Sequence, residues 1–338
     1  MSVPGKLILM GEHAVVYGRP ALVAAVDLRL FARFSPSPVS GVTLHPGKNL
    51  EALGLASGEP FSWADIRAYT RRARGGWEAY ARDPGPEGFR RMRGLDPAHV
   101  VKVALGEAAD FLDGLPGSVT PAGDPPLDLH LDSDLPVGSG FGSSAAAAAA
   151  IVTGFLLYRG AAVPLETIEP LALEVERRQH GTPSGVDTAA VLRGGVLWAR
   201  KLATGGLETE AATLRSPLLS RLRVYDTGTP AEATGAVVAA VRALRGRDPG
   251  RHEAILDRME AATRAFRAEL EREEEDPGRA GELIREHQAC LEELGVVPPE
   301  VRNLVRQVEK EGGAAKISGA GSLSGPGAGS LLVYDPGA

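Results

Sequence analysis

A glycine-rich loop followed by an alanine-rich stretch is the part of this sequence best suited to chemistry. Gly138, Gly140 and Gly142 alternate with Ser139 and Phe141, and two serines and six alanines follow them. Glycine permits the left-handed backbone that lets a ligand approach the main chain closely, and alanine is the strongest helix former. The pattern therefore predicts a helix start whose N–H groups and dipole bind an anion, for which phosphate is the usual case.

Two serines open the predicted helix. Ser143 and Ser144 stand at the position of an N-cap, and their hydroxyls could also bind phosphate or Mg²⁺. The loop is not a Walker A motif, because no Gly-Lys-Ser/Thr follows the glycines, and its spacing does not fit a dinucleotide-binding fingerprint. An ordinary glycine-serine loop before a buried helix is the alternative that this stretch alone leaves open.

Polar residues near the N-terminus interrupt a sequence that is otherwise typical of buried strands. Lys6, Glu12 and His13 are set among apolar residues of β character. They indicate either a site or, alternatively, two solvent-facing charges and a loop histidine whose hydrogen bonds are satisfied.

A second group of candidates lies in the middle of the chain. Glu176 falls near the end of a helix predicted over 164–180, and Asp187 ends a loop of turn-forming residues, 180–187. A loop that presents one carboxylate before a buried segment suits a catalytic acid or base. The alternative is that Asp187 is the N-cap of the segment that follows.

Composition excludes several classes of function. The net charge of −6 argues against nucleic acid as a partner. The single cysteine, Cys290, excludes an internal disulfide or a cysteine-based metal cluster, and we expect it to be buried. No apolar run reaches the roughly 18–20 residues of a membrane span, and the N-terminus does not resemble a secretory signal. These features predict a cytoplasmic protein without a membrane partner, and they leave a homodimer open.

The periodicity of apolar residues predicts the elements that position these candidates. The predicted strands cover residues 6–10, 28–34, 42–44, 127–131, 196–199, 223–225, 314–317 and 331–334. The predicted helices cover residues 97–112, 164–180, 251–274, 278–294 and 299–310. A separate apolar run, 20–26, is expected to end at Asp27. A shift of composition over 201–219 divides this α+β chain into domains 1–200 and 201–338.

An arginine-rich segment with interleaved aromatic residues, 62–93, lies between the first strands and the glycine loop. Pro84-Gly85-Pro86 should break it into two pieces. The acidic balance of the chain favours a solvated helical insertion, or a lid beside a phosphorylated ligand, over a nucleic-acid surface.

Glycine-bearing segments at the start, middle and end of the chain together resemble the signature motifs of the GHMP kinases, a family that includes galactokinase, homoserine kinase, mevalonate kinase and phosphomevalonate kinase. Residues 4–18, Pro-Gly-Lys-Leu-Ile-Leu-Met-Gly-Glu-His-Ala-Val-Val-Tyr-Gly, resemble the first motif in its mevalonate kinase form. Residues 136–145 resemble the second, ATP-binding motif, with Phe141 where leucine is usual. Residues 181–187 resemble the segment that carries the catalytic aspartate, and 316–321 the start of the third motif.

The resemblance implies a fold and a set of roles. The fold would have an N-terminal α/β domain like ribosomal protein S5 and a C-terminal ferredoxin-like α+β domain, with the active site between them. Lys6 and Asp187 would be the catalytic pair, and Ser144 and Glu176 would hold Mg²⁺. The acceptor substrate would be bound by Glu12, His13 and Thr234. ATP would be bound by Pro136, Gly138, Ser139, Gly140, Gly142, Ser143, Ser144 and Ala145.

The third motif departs from the family pattern. After Gly321 the residues 322–330, Ser-Leu-Ser-Gly-Pro-Gly-Ala-Gly-Ser, lengthen the loop, and Pro326 removes one N–H donor. The sequence does not say whether residues 319–321 or 325–329 would meet the phosphates or the substrate.

The resemblance therefore implies an ATP- and Mg²⁺-dependent kinase that phosphorylates the primary hydroxyl of mevalonate in isoprenoid precursor synthesis. One alternative is phosphomevalonate kinase or another small-molecule kinase of the family, which the arginines of 62–93 could favour. A catalytically inactive nucleotide- or metabolite-binding regulator is the alternative from a different class.

Overall fold

The computed structural model describes residues 1–51, 55, 57, 60–93, 95–115, 123–136, 138–274 and 276–337. Within these ranges the chain forms nine strands and eleven α-helices. The strands are β1 (Ser2–Met10), β2 (Pro20–Pro36), β3 (Val42–Pro46), β4 (Leu127–Ser133), β5 (Val196–Lys201), β6 (Leu207–Ala211), β7 (Leu222–Asp226), β8 (Ala314–Ser318) and β9 (Ser330–Tyr334). The helices are α1 (Lys48–Glu51), α2 (Trp63–Arg82), α3 (Pro86–Arg93), α4 (His99–Asp113), α5 (Ser143–Tyr158), α6 (Leu165–His180), α7 (Val186–Arg193), α8 (Thr234–Arg247), α9 (Pro249–Glu271), α10 (Pro277–Glu293) and α11 (Pro299–Lys310).

The chain forms two compact units that interleave along the sequence. The first unit contains Met1–Gly5, Val26–Val137 and Gly142–Arg193. The second unit contains Lys6–Ala25, Gly138–Phe141 and Gly194–Ala338. The simpler division predicted at residue 200 stays a prediction.

The first unit combines part of a sheet with a helical layer. The second half of β2 pairs antiparallel with β4, from Leu30 opposite Ser133 onward, and β3 pairs parallel with β4. Helix α5 packs against α4, α6 and α7. It is apolar on every side and almost wholly buried between Ala145 and Leu156, as expected of a helix without a polar face.

The second unit contains two groups of strands and the long charged helices. The first half of β2 pairs antiparallel with β5, and β5 pairs with β6. A separate antiparallel sheet has the order β7-β9-β8. Helix α10 packs against α9 and β8. Cys290 on α10 is buried as predicted, and burial raises the pKa of its thiol to about 12.

The structure confirms the helices that were predicted from a strong periodicity of apolar residues. Helices α9, α10 and α11 lie within about three residues of their predicted bounds, because Asp248 and Asp276 cap the first two and a proline opens each helix. The predicted break at Asp27 is wrong, since β2 runs through it without interruption. Strand β6, with the sequence Leu-Glu-Thr-Glu-Ala, was not predicted, because three of its five residues are exposed and it has no buried apolar face.

No helix in the part of the chain that the structure describes is both long enough and apolar enough to cross a membrane.

Candidate active site

The predicted glycine loop has the backbone that its sequence requires. Gly138, Gly140 and Gly142 have φ angles of 80°, 83° and 71°, in the left-handed region that glycine tolerates. Helix α5 begins at Ser143, and its N-cap is Gly142, which makes no side-chain capping bond. The prediction that Ser143 and Ser144 are N-cap residues is therefore wrong, because both already belong to the first turn. Val137 lies outside the described residues.

Ser144 and Glu176 meet within the first unit. The Ser144 hydroxyl donates a hydrogen bond to Oε1 of Glu176 at 2.5 Å. Glu176 is only 3% exposed, and its Oε2 lies 3.6 Å from Nε2 of His180 on the same helix. The packing of α6 on α5 thus places two hard oxygen ligands together at the start of α5, and Mg²⁺ prefers such ligands.

Asp187 lies in the first turn of α7, as its second residue. The predicted alternative, an N-cap position, is therefore wrong. The loop before it contains two glycines with positive φ, Gly181 at 79° and Gly185 at 88°. Asp187 is half-buried. Asp187 belongs to the first unit and Lys6 to the second, so the predicted catalytic pair stays a prediction.

Helices α2 and α3 form from the arginine-rich segment and are divided after Arg82, as predicted. Arg67 donates to both carboxylate oxygens of Asp124, and Arg74 donates to both oxygens of Glu107. These ion pairs raise the pKa of both guanidinium groups. The segment therefore uses two of its arginines to hold α2 within the first unit.

The N-terminal candidates are buried in the second unit. Lys6 is 3% and Glu12 1% exposed, so the alternative that they face solvent is wrong. Glu12 forms an ion pair through Oε1 with Lys316, which is completely buried. Burial raises the pKa of Glu12 and lowers the pKa of Lys316, while the attraction between the two charges opposes both shifts. The lysine in the middle of the buried strand β8, Ala-Ala-Lys-Ile-Ser, is the sequence signal that could have identified this partner.

Two histidines border this ion pair. The Gly11 N–H donates to Nε2 of His287 at 2.8 Å. Because that nitrogen accepts a hydrogen bond, it carries no hydrogen of its own, and burial lowers the pKa of His287 well below its usual value. His287 is therefore neutral, although its Nε2 lies 3.6 Å from the Glu12 carboxylate. His13 adopts a φ of 56°, unusual for a residue other than glycine, and its Nε2 donates to the Ala320 carbonyl at 2.9 Å.

The long loop of the third motif is fixed at two places within the second unit. Its last residue, Ser330, donates from its hydroxyl to the Ser139 carbonyl, and the Ser139 hydroxyl donates to Asp226 at 2.9 Å. At the other end, Glu232 accepts hydrogen bonds from the hydroxyls of Ser322 and Ser324. The later part of the loop thus contacts the glycine-loop segment 138–141.

Thr234 is the first residue of α8 and is exposed. Its predicted contact with the acceptor stays a prediction, as do the roles predicted for the other site residues.

Comparison with known sequences identifies two family domains in the expected order. Residues 100–195 match the family described as GHMP kinases N terminal domain, and residues 254–324 match GHMP kinases C terminal. The mevalonate kinase of Homo sapiens is 30% identical over 348 residues, covering 95% of this chain and 83% of that protein. The mevalonate kinase of Pyrococcus horikoshii is 28% identical over 343 residues, covering 99% and 88%.

A solved structure shows the same fold. The L. major mevalonate kinase in complex with R-mevalonate aligns with a TM-score of 0.69 at 21% identity, covering 99% of this chain and 86% of that chain. The predicted two-domain kinase fold is thereby confirmed. Similarity to a human relative over most of both sequences, together with both family domains, establishes that this chain belongs to the GHMP kinases.

Proposed function

We propose that this protein is a mevalonate kinase, which transfers the γ-phosphate of ATP to the primary hydroxyl of mevalonate in isoprenoid precursor synthesis. One observation carries the proposal: the similarity to mevalonate kinases of archaea and mammals extends over almost the whole chain, at 28–30% identity. It therefore includes both family domains and the first motif, residues 4–18, which resembles the mevalonate kinase form.

Asp187 and Lys6 are the proposed catalytic pair. Asp187 accepts the proton of the substrate hydroxyl as its oxygen attacks the γ-phosphorus, and the bond to the β,γ-bridging oxygen breaks to release ADP. Lys6 contributes positive charge as negative charge spreads over the transferring phosphoryl group. Phosphoryl transfer depends mainly on positioning and charge neutralisation. The burial of Lys6 in β1, where it is only 3% exposed, supports its role in charge neutralisation.

The phosphates of ATP are proposed to lie on the loop residues 136–145. Gly142 supports this role, because as the N-cap of α5 it makes no side-chain capping bond to the first N–H groups of the helix. Ser144 and Glu176 fit Mg²⁺, since two hard oxygens lie 2.5 Å apart there and the carboxylate is almost fully buried. When bound, the ion would neutralise part of the phosphate charge.

Glu12, His13 and Thr234 are the proposed acceptor-binding residues. The ion pair with Lys316 already occupies one oxygen of Glu12, whereas Oε2 accepts no hydrogen bond from the described residues. Glu12 would therefore act through Oε2. A cytoplasmic location and a homodimeric assembly stay predictions.

Two alternatives make different predictions. A kinase for a phosphorylated acceptor needs free cations, but Arg67 and Arg74 of the arginine-rich segment are held by carboxylates. Two of the eight arginines in residues 62–93 are thus committed to ion pairs within the protein, and the phosphomevalonate alternative depends on the others. An inactive regulator would bind nucleotide without turnover, yet this chain has Lys6, Glu176 and Asp187 at all three family positions.

The test is an ADP-release assay with ATP, Mg²⁺ and a panel of mevalonate, phosphomevalonate and galactose. We expect kcat/KM for mevalonate to exceed the values for the other two by at least tenfold. Preferred turnover of phosphomevalonate or galactose would reassign the acceptor within the family. Nucleotide binding by calorimetry without turnover of any acceptor would favour the regulator.

A further inference from the structure

An indole hydrogen bond holds the chain reversal that precedes Asp187. The Trp77 indole N–H, on α2, donates to the carbonyl of Gly181 at 2.7 Å. Gly181 is the C-cap of α6, the helix that carries Glu176, and its own N–H donates to the Arg177 carbonyl at 2.8 Å. The bond from Trp77 therefore fixes the peptide at which the chain leaves α6 and turns toward Asp187.

The turn requires a glycine at position 181. Gly181 has a φ of 79°, and a Cβ atom there would lie 2.5 Å from the ring of Tyr80, one turn after Trp77 on α2. Only glycine combines this φ with this contact. Trp77 and Tyr80 together enclose the reversal from one side.

Trp77 is itself held rigidly. Arg177 and Arg178 of α6 lie with their guanidinium carbons 5.8 and 5.7 Å from the centre of the Trp77 ring, within the range of a cation–π contact. Arg178 also lies 3.5 Å from Glu107, which accepts two hydrogen bonds from Arg74 of α2. The indole is therefore held by side chains of α6 as well as by its own helix.

The remaining loop is short and internally bonded. The Thr182 N–H donates to the His180 carbonyl at 3.0 Å, and the Val186 N–H donates to the Ser184 hydroxyl at 3.3 Å. Six peptide bonds separate Gly181 from Asp187. A displacement at Gly181 should therefore shift the carboxylate, and a misplacement of about 1 Å in a catalytic group can cost on the order of 100-fold in rate.

We infer that Trp77 is a positioning residue for Asp187: its N–H, and not its ring alone, sets the place of the carboxylate. The inference rests on the proposed function. It assigns to the arginine-rich segment a role in catalysis that does not involve binding a phosphorylated ligand.

The test compares Trp77→Phe with Trp63→Phe. Both variants remove an indole N–H on α2 and keep an aromatic ring, because Trp63 donates to the Pro125 carbonyl at 2.7 Å. Pro125 lies outside both the Glu176 helix and the Asp187 loop. We expect Trp77→Phe to lower kcat about tenfold, with KM for ATP, the Kd for ADP and the Mg²⁺ requirement within twofold of wild type. Trp63→Phe should leave kcat within twofold.

Equal effects of the two substitutions on kcat, or a kcat of Trp77→Phe within twofold of wild type, would overturn the inference. A shifted Mg²⁺ requirement would also overturn it, because the loss would then lie at Glu176. Slow hydrogen exchange of the Trp77 indole N–H in the wild-type protein tests the bond without any variant, and rapid exchange would contradict it. Wild-type protein that binds ADP but turns over no acceptor would instead overturn the proposed function.

Discussion

Glu12 and Lys316 form an ion pair from which solvent is excluded, since their side chains are 1% and 0% exposed. The pair joins the turn after β1 to strand β8, across 304 residues of sequence. Taking two charges out of water is costly, so such a pair adds little net stability, but losing one partner leaves the other charge buried alone.

Glu12→Gln should therefore destabilise the protein by about 3 kcal/mol, measured by urea unfolding. Glu87→Gln is the matched control, because Glu87 pairs with Arg91 at the surface, where the side chains are 77% and 71% exposed. That control should change the free energy of unfolding by less than about 0.5 kcal/mol. Combining Glu12→Gln with Lys316→Met should recover part of the loss. Equal stabilities of Glu12→Gln and Glu87→Gln would contradict this account.

Because His287 is buried and neutral, we expect its contribution to the stability of the folded protein to decrease in acid. The group is neutral in the folded protein because burial, with the charge of Lys316 and the neighbouring His13, lowers its pKa well below 6.5. The Glu12 carboxylate, 3.6 Å away, also faces it. Below pH 6.5 the His287 side chain binds a proton in the unfolded chain but not in the folded chain. The contribution of His287 to the free energy of unfolding therefore falls as pH decreases, until pH passes the folded pKa, with a slope of up to about 1.4 kcal/mol per pH unit. The raised pKa of Glu12 gives a contribution of the opposite sign.

Unfolding experiments between pH 7 and pH 5 test this contribution. His13 adds a contribution of the same sign, since burial lowers its pKa as well. His287→Gln keeps an acceptor for the Gly11 N–H and removes one titrating group, so its stability should depend less steeply on pH than that of wild type. Parallel curves for the two proteins would exclude His287 as a source.

Local patterns in the sequence were sufficient for most of the helices and strands and for the glycine loop. An Asp-Pro cap opens α10, and alternating glycines specify the positive φ angles of the loop. The residues that determine the cap and the loop lie within a few positions of each feature in the sequence. Strand β6 escaped prediction because it has no buried apolar face to produce a pattern.

Partners of the candidate residues could not be predicted in the same way. Lys316 pairs with Glu12, and Trp77 binds Gly181 from 104 residues away. Neither contact leaves a local periodicity, because each depends on how distant elements pack. The pairing of Glu176 with Ser144 was implied only by the family resemblance, because it follows from the packing of α6 on α5 and not from a local pattern.

Glu176→Gln should raise the Mg²⁺ concentration needed for half-maximal activity by about 10- to 100-fold. The amide keeps the size of the side chain but removes the charge beside Ser144 that attracts the ion. Glu166→Gln is the control, because Glu166 lies on the same helix and is exposed. Initial rates across a Mg²⁺ titration at fixed ATP give the comparison. If the Mg²⁺ titrations of Glu176→Gln and wild type were identical, Glu176 would have a structural role and would not bind the ion.

Asp187→Ala should lower kcat by about 10²- to 10⁴-fold, the usual contribution of a positioned acid or base. The Kd for ADP, measured by calorimetry without acceptor, should stay within about threefold of wild type, because the proposed phosphate-binding loop, residues 136–145, is a separate segment. Asp65→Ala is the matched control: Asp65 is also a carboxylate in the first turn of a helix, α2, but it is exposed. It should change kcat by less than twofold. If Asp187→Ala retained more than about a tenth of the wild-type kcat, another group would have to accept the proton of the substrate hydroxyl. The proposal that Asp187 and Lys6 form the catalytic pair would then be wrong.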